Sequence, residues 1–185
     1  INVLEGLNLA ITTPSSSTKI KCINADEFPL IPKIEKGQDF TIKIKDFYEA
    51  ITETVFAASS NTTRPVLSGV LLASVDGFVK MVATDSYRLA EKVLKISKKL
   101  EEDVYSIIPA KTLMELSKII SKAEAKELTV YISKNQVLFS IDGVELISRL
   151  IEGKFPDYDK IIPHDEKTKI EFSTEEMSLV LKRVS

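Results

Sequence analysis

The sequence is poor in the residues that most catalytic and metal centres require. Its one cysteine, Cys22, excludes an internal disulfide framework, fits a reducing cytoplasm, and is predicted to be a small buried residue. Its one histidine, His164, has no nearby cysteine or second histidine to complete a metal site, so a structural or surface role is expected. The six glycines are scattered singly, and no Gly-x-Ser-x-Gly motif frames a nucleophile. We therefore expect no cofactor, no metal and no catalytic residue.

Long apolar runs and a strong charge imbalance are also missing. The longest apolar run falls far short of the roughly 20 residues that span a bilayer, and no signal-peptide pattern occurs, so no membrane partner is expected. The net charge of −2 over 185 residues lacks the basic footprint of most nucleic-acid-binding domains. Any contact with phosphate must therefore come from a local arrangement of lysines.

An internal repeat is the most informative feature that is present. Residues 18–32 and 144–163 share one plan: an alternating strand, a short turn, Phe-Pro, and a linker that ends in Ile-Pro. Phe28 and Phe155 begin Phe-Pro pairs about 127 residues apart, and each pair is followed by a β-type run (40–44 and 169–172) and a helical pattern. Chance similarity is the alternative, but a period this long indicates repeated whole domains.

The repeat predicts the domain organisation. Residues 1–32 would be the last strands of one copy, 33–39 a linker, and 40–163 a complete middle copy. Residues 164–168 would be a second linker, and 169–185 the first strand and helix of a further copy. In the first copy, strands are expected at 1–4, 7–12 and 18–23.

Within the middle copy, hydrophobic periodicity predicts the same element order twice. Strand 40–44, helix 45–58 and strands 65–75, 78–83 and 89–96 form one half. Strand 104–108, helix 110–121 and strands 128–132, 136–141 and 144–150 form the other. The fold class is α+β: a pseudo-symmetric domain of two β-α-β-β-β halves, with two helices packed on one face of antiparallel sheets.

Two groups of charged residues have both functional and structural interpretations. Asp85, Asp157 and Asp159 could serve acid–base chemistry or bind a cation, but Asp at strand ends more often caps backbone N–H groups. Lysines on the second helix share one face and could approach phosphate; the alternative is that this face is simply solvated. Glu49 and Glu53 on the first helix argue against contact with phosphate. The lysines are Lys111, Lys118 and Lys122.

The stretch 82–90 is the best candidate for a binding site. A strand ends at Thr84-Asp85, a short turn exposes Tyr87, and the chain re-enters a strand at Leu89. With Leu67 and the Phe155-Pro156 region, these residues could surround an apolar cleft with a polar edge. Such a cleft suits a short peptide with hydrophobic anchors.

Several segments of the sequence are similar to one known family. They are residues 64–70 (Arg-Pro-Val-Leu-Ser-Gly-Val), 83–90 (Ala-Thr-Asp-Ser-Tyr-Arg-Leu-Ala), 108–111 (Ile-Pro-Ala-Lys) and 150–158 (Leu-Ile-Glu-Gly-Lys-Phe-Pro-Asp-Tyr). The chain thereby resembles the bacterial DNA polymerase III β subunits, the β sliding clamps, along nearly its whole length. The resemblance implies a DNA-clamp fold, with the end of the first clamp domain, the complete second, and the opening strand and helix of the third.

The resemblance also implies a function. Clamps of this family are cytoplasmic head-to-tail homodimers that close a ring around duplex DNA and make the replicative polymerase processive. They are non-catalytic subunits of a nucleotidyltransferase holoenzyme, and sliding requires weak, sequence-independent phosphate contacts. This chain alone is not expected to form the native dimer. The residues expected to face DNA are Arg64, Lys111, Lys118, Lys122, Lys154 and Lys160.

Family members dock the short linear motifs of their partners in a pocket near the junction of the second and third domains. The implied partners are the polymerase alpha subunit, the clamp loader, translesion polymerases and mismatch-repair proteins. Some members have Gly-His where this chain has Ser86-Tyr87, which alters the pocket. The residues carried over by matching motif are Leu67, Thr84, Ser86, Tyr87, Arg88, Leu89, Pro156 and Ile161.

Two other functions stay open from the residues alone. One is a peptide-binding interaction module without a DNA role, which the acidic balance and the exposed glutamates of the first helix favour. The other is an enzyme that uses Asp85, Asp157 or Asp159 with a divalent ion.

Overall fold

The computed structural model of the chain describes residues 1–28, 37–61, 63–75, 77–96, 100, 103–163 and 167–184. The first described segment forms a separate three-stranded antiparallel sheet, in the order β1-β2-β3. Its strands are β1 (Asn2–Leu4), β2 (Asn8–Thr12) and β3 (Ser17–Lys21).

In its described residues, the middle region contains two α-helices and eight strands. The first half consists of β4 (Gln38–Lys43), α1 (Ile44–Thr54), β5 (Gly69–Val75), β6 (Phe78–Thr84) and β7 (Leu89–Lys95). The second half consists of β8 (Tyr105–Pro109), α2 (Ala110–Ile120), β9 (Glu127–Ile132), β10 (Gln136–Ile141) and β11 (Val144–Arg149). A last helix, α3 (Thr174–Val184), follows.

The two halves exchange their first strands. The sheets have the orders β11-β10-β9-β4 and β7-β6-β5-β8, so each half's opening strand joins the sheet of the other half, where β4 pairs with β9 and β8 with β5. All of these pairings are antiparallel. The exchange ties the halves into one domain and confirms the predicted pseudo-symmetric α+β class.

The main core lies between the two helices and the sheets. Phe47 and Ile51 of α1 and Leu113 and Leu116 of α2 are buried, at the helical spacing that the sequence predicts. The rings of Phe47 and Phe139 on β10 lie 6.0 Å apart and join the helix layer to the sheet. Both helices therefore pack on the same side, as predicted.

A smaller core lies on the opposite face of the β7-β6-β5-β8 sheet. Along β5 and β6, Leu71 and Val82 alternate with residues of the main core and point the other way. The chain that follows β11 crosses this face and buries Phe155 and Tyr158 there, with their rings at 6.4 Å in an edge-to-face arrangement. The Phe-Pro pair of the sequence repeat thus anchors the chain that follows β11 to this face. We call residues 150–163 the covering segment.

The structure corrects several expectations outside the core. Residues 169–172, predicted to be a strand, have no regular structure, because no strand in the described part of the chain pairs with them. The predicted linker 33–39 ends earlier than expected, since β4 already begins at Gln38. Residues 29–36 and His164 lie outside the described residues. Cys22 is exposed, because nothing described covers the end of β3.

Local chemistry explains two shifted boundaries. Residues 65–68, predicted to open a strand, form a 3-10 turn that begins at Pro65. The helix predicted over 45–58 ends at Thr54, whose hydroxyl donates to the Ala50 carbonyl at 2.7 Å, and a 3-10 turn (Val55–Ala57) follows. None of the described helices combines the length and apolar character that a bilayer crossing needs.

Candidate peptide-binding site and basic helix face

The β6–β7 turn is held by its own side chains. The hydroxyl of Thr84 donates to the Arg88 carbonyl at 2.7 Å and accepts from the Ser86 N–H at 3.2 Å. One carboxylate oxygen of Asp85 accepts from the N–H groups of Tyr87 and Arg88, at 2.9 and 3.0 Å. Ser86 takes the left-handed conformation, with a φ of 80°. The turn is therefore fixed locally, which confirms the capping interpretation of Asp85.

The turn also directs two large side chains. The second carboxylate oxygen of Asp85 lies 3.0 Å from Arg88 Nε, and the guanidinium carbon lies 5.6 Å from the ring centroid of Phe56. Hydrogen bonds from the two backbone N–H groups, aided by the arginine, lower the pKa of Asp85. Tyr87 is 98% exposed. The turn thus presents a free aromatic ring beside a guanidinium of fixed orientation.

A second segment approaches the same edge of the domain. The hydroxyl of Tyr105 accepts a hydrogen bond from the Phe155 N–H at 2.8 Å. Burial, together with a hydrogen bond to Glu91 on β7, raises the pKa of Tyr158. These anchors hold Pro156, which is exposed, and Ile161, which is 68% exposed, at the surface of the covering segment.

The smaller core connects the segments that carry the predicted pocket residues. Val66, Leu89 and Ile151 are half-buried against the cluster that contains Phe155. A Cβ added at Gly153 would lie 2.8 Å from Val66 Cγ1, so the covering segment passes directly over the 3-10 turn that precedes β5. The structure therefore brings the three stretches around Leu67, the β6–β7 turn and Pro156 to one side of the domain. Leu67 and Thr84 are buried within these stretches, and the other six predicted residues are exposed or half-buried.

Phe56 is a residue of this region that the sequence analysis did not single out. It lies in the 3-10 turn after α1 and is 57% exposed despite its size. The helical pattern assigned this stretch to a continuing helix, in which Phe56 falls outside the apolar stripe. A large aromatic residue on the polar side of the predicted helix was the available signal in the sequence. Only the fold shows that this residue meets Arg88.

The predicted DNA-facing residues fall into separate places. Lys111, Lys118 and Lys122 are exposed on or just after α2, and Lys118 is paired with Glu115 at 2.9 Å. Arg64 is exposed just before the 3-10 turn that opens β5.

Two of the six predicted residues are not on the helix side. Lys154 and Lys160 belong to the covering segment, across the β7-β6-β5-β8 sheet from the helices. Lys160 is paired with Asp157, which raises its pKa. The structure therefore separates these two residues from the α2 lysines.

The acidic side of α1 is largely neutralised. Glu53 is paired with Lys92 of β7 at 2.7 Å, and this contact raises the pKa of the lysine. Glu49 lies 3.9 Å from Lys45. The glutamates that opposed a role in contacting phosphate thus have cationic partners.

An open groove of about 1190 Å³ lies between the start of α1 and the end of α2. Ile44, Ile120 and Tyr48 contribute apolar surface, and three lysines stand around it. The sequence analysis missed these lysines because they lie in β4, in α1 and in the loop before β9, which meet only in the fold. They are Lys43, Lys45 and Lys126.

The carboxylates form no metal centre within the described ranges. No group of three or more His, Cys, Asp or Glu side chains in these ranges could hold an ion. Asp85 is bonded within its turn, and Asp157 to Lys160. Both carboxylates therefore have a structural partner.

The paired half-domains, with two helices on one face and a covered opposite face, are those of DNA clamps. A family profile described as "DNA polymerase III beta subunit, central domain" matches residues 41–157, and the chain belongs to this family. The match confirms the resemblance that the sequence motifs carry.

Individual relatives agree with this assignment. A beta sliding clamp of Halalkalibacterium halodurans is 36% identical over 99% of the chain. The DNA polymerase sliding clamp of Bacillus subtilis superposes with a TM-score of 0.90 at 33% identity, over 98% of this chain and 48% of that one. A Pseudomonas aeruginosa sliding clamp bound to griselimycin matches 89% of this chain and 44% of its own length, with a TM-score of 0.81 at 25% identity. The chain spans about half the length of these curated relatives, 48% in the Halalkalibacterium protein.

Proposed function

We propose that the intact protein carrying this chain is a sliding clamp, the processivity factor of a bacterial replicative DNA polymerase. Two copies would close head to tail into a ring around duplex DNA and tether the polymerase by topology. The observation that carries the proposal is the arrangement of α1 and α2 side by side on one face of paired sheets, in a chain that belongs to the clamp family.

In this proposal residues 1–32 end a first clamp domain, 40–163 are the second, and 169–185 open a third. The protein is a non-catalytic subunit that works in the bacterial cytoplasm. The separate sheet of β1, β2 and β3, and the lack of a buried side chain in α3, fit pieces that complete their cores elsewhere in the intact protein.

The DNA-facing surface would be the helix side of the domain. The α2 lysines and those around the groove supply cationic side chains without a base-reading motif, which suits weak contacts with phosphate on any sequence. Lys154 and Lys160 are less suited to this role, because the sheet lies between them and the helices. The proposed DNA-facing set is therefore Arg64, Lys111, Lys118 and Lys122, extended by Lys43, Lys45 and Lys126.

The surface around the β6–β7 turn would be the docking site for partners. Leu67, Leu89 and Pro156 would form its apolar wall, and Arg88 a polar edge with hydrogen-bond donors. The griselimycin complex of the Pseudomonas clamp supports a ligand site in this family. The proposed partners are the polymerase alpha subunit, the clamp loader, translesion polymerases and mismatch-repair proteins.

Retention on DNA tests the ring. After loading of the intact protein, we expect it to stay bound to closed circular duplex at high salt and to slide off once the circle is linearised. A salt-sensitive protein that leaves circular and linear DNA equally fast would contradict a topological link. It would favour the alternative, a peptide-binding module without a DNA role.

A peptide titration tests the docking site independently of DNA. The probe is a fluorescein-labelled pentapeptide that begins with Gln and ends in two apolar residues, the kind of motif that the family resemblance implies. Leu67→Ala and Arg88→Ala should each weaken its binding by about 1–2 kcal/mol if both residues are hot spots. Unchanged affinity in both variants would show that the site lies elsewhere.

A further inference from the structure

We propose that Phe56 is a positioning residue of the peptide-binding site, and that with Asp85 it fixes the Arg88 guanidinium to read a carbonyl oxygen of the docked peptide. The inference rests on the proposed docking function. It adds a residue outside the segments that carry the family resemblance and assigns a chemical role to Arg88.

The guanidinium is held from two directions. Asp85 accepts the Nε–H at 3.0 Å, and that carboxylate is itself held by the N–H groups of Tyr87 and Arg88. The ring of Phe56 lies under the guanidinium carbon at 5.6 Å, within the range of a cation–π contact. A long side chain that would otherwise sample many rotamers is thereby restricted before a ligand arrives, which lowers the entropy cost of binding.

The contacts that restrict the Arg88 side chain leave most of its N–H donors free to bind a ligand. An arginine has five N–H donors in a planar fork, and the contact with Asp85 uses the one on Nε. The Arg88 side chain remains 57% exposed, so its terminal N–H groups are available to a ligand. Because these groups only donate, they select an acceptor such as the side-chain carbonyl of Gln or a backbone carbonyl.

The experiment measures binding of the same labelled pentapeptide to the intact protein. Phe56→Leu keeps an apolar side chain but removes the ring, and should weaken binding about three- to five-fold. Phe56→Tyr keeps the ring face and should bind within about two-fold of the wild type. Phe78→Leu, a half-exposed phenylalanine at the opposite end of β6, is the matched control and should bind normally.

A double variant separates positioning from direct contact. If Phe56 acts through Arg88, Phe56→Leu added to Arg88→Met should weaken binding no further than Arg88→Met alone. Fully additive effects would overturn the inference, because Phe56 would then act without the arginine.

A second readout needs no peptide. The δ-methylene protons of Arg88 should show an upfield ring-current shift in NMR spectra of the wild type and of Phe56→Tyr, and lose it in Phe56→Leu. A wild-type protein that does not bind the peptide would overturn the docking function and this inference with it. A protein that binds but lacks the shift, or whose Phe56→Leu variant binds normally, would overturn this inference alone.

Discussion

Asp85 shows how one side chain can set the geometry of the proposed binding surface. Its carboxylate accepts from two backbone N–H groups and from the Arg88 side chain, so the folded turn favours the ionised form and lowers the pKa. A lowered carboxyl pKa stabilises the turn fully above the ordinary value of 3.8, and the contribution is lost as the pH falls below it. The turn should therefore be intact at neutral pH and loosen in acid.

Substitution of Asp85 tests this account by amide exchange. Asp85→Ala removes every acceptor and should speed exchange of the Tyr87 and Arg88 amides about ten-fold at neutral pH. Asp85→Asn keeps a carbonyl oxygen that can accept from the backbone, so exchange of the two amides should rise less in this variant. The protection of these amides should also no longer depend on a carboxyl titration between about pH 2 and 5. Equal exchange in wild type and Asp85→Ala would show that the turn does not need the carboxylate.

Gly153 places the covering segment against the 3-10 turn that precedes β5. Its φ is +132°, a region that only glycine adopts readily, and an added Cβ would lie 2.8 Å from Val66 Cγ1. Gly153→Ala should lower the free energy of unfolding by about 1–3 kcal/mol. Urea unfolding followed by circular dichroism measures it, since the chain has no tryptophan.

A second glycine provides the control for Gly153. Gly143, in the β10–β11 turn, has a φ of +77° and no atom within 4 Å of an added Cβ. Gly143→Ala should therefore report backbone strain without a clash, about 1 kcal/mol. A larger destabilisation by Gly143→Ala than by Gly153→Ala would contradict the close approach to Val66.

At the scale of elements, the Tyr105 hydroxyl anchors the covering segment through a long-range hydrogen bond. The Tyr105 hydroxyl on β8 accepts from the Phe155 N–H at 2.8 Å, and no other described group is bonded to that N–H. Tyr105→Phe should cost about 1 kcal/mol and also weaken peptide binding, because Pro156 follows directly. Tyr131→Phe on β9 is the control, since its hydroxyl makes no hydrogen bond within the described ranges. If both variants behave alike, Tyr105 does not anchor the segment.

The elements were predicted well where local periodicity decides them. The buried faces of both helices were predicted correctly. The apolar residues around Phe47 in α1 and around Leu116 in α2 recur with the period of a helix, and both faces have a sheet to pack against. The strand at 169–172 was wrong, because alternation produces a strand only where a partner strand is available.

Contacts between distant parts of the chain were beyond the sequence. Tyr105 meets Phe155 because β8 joins the sheet of the first half and the tail folds back over that sheet. Phe56 meets Arg88 because the 3-10 turn after α1 lies against β6. The family resemblance named most of the predicted binding residues, but it did not supply the side chains that hold them in place.

At the scale of the molecule, different parts of the chain should differ in their stability against local unfolding. The region 40–163 has both cores, whereas Ala10 is the one buried residue of β1, β2 and β3, and α3 has none. We expect hydrogen exchange to be fast in β1–β3 and α3 of this chain, slow in α2 and β10, and slow throughout in the intact protein. Equal protection in the isolated chain would show that the flanking segments are stable by themselves.

At the scale of the whole molecule, charge reversal can locate the proposed DNA-facing side of the domain. If phosphates follow the helix side, the double variant Lys122→Glu and Lys126→Glu of the intact protein should bind duplex DNA more weakly at low salt. Its plot of log affinity against log salt should become shallower by about 1 for each phosphate that the protein no longer neutralises. Lys154→Glu is the control, because Lys154 lies across the sheet from α2 and each Lys→Glu substitution makes the same change in net charge. This variant should leave the slope unchanged. Fluorescence anisotropy with a labelled duplex at several salt concentrations measures all three proteins, and an equal change of slope in Lys154→Glu would place the DNA path on the other face.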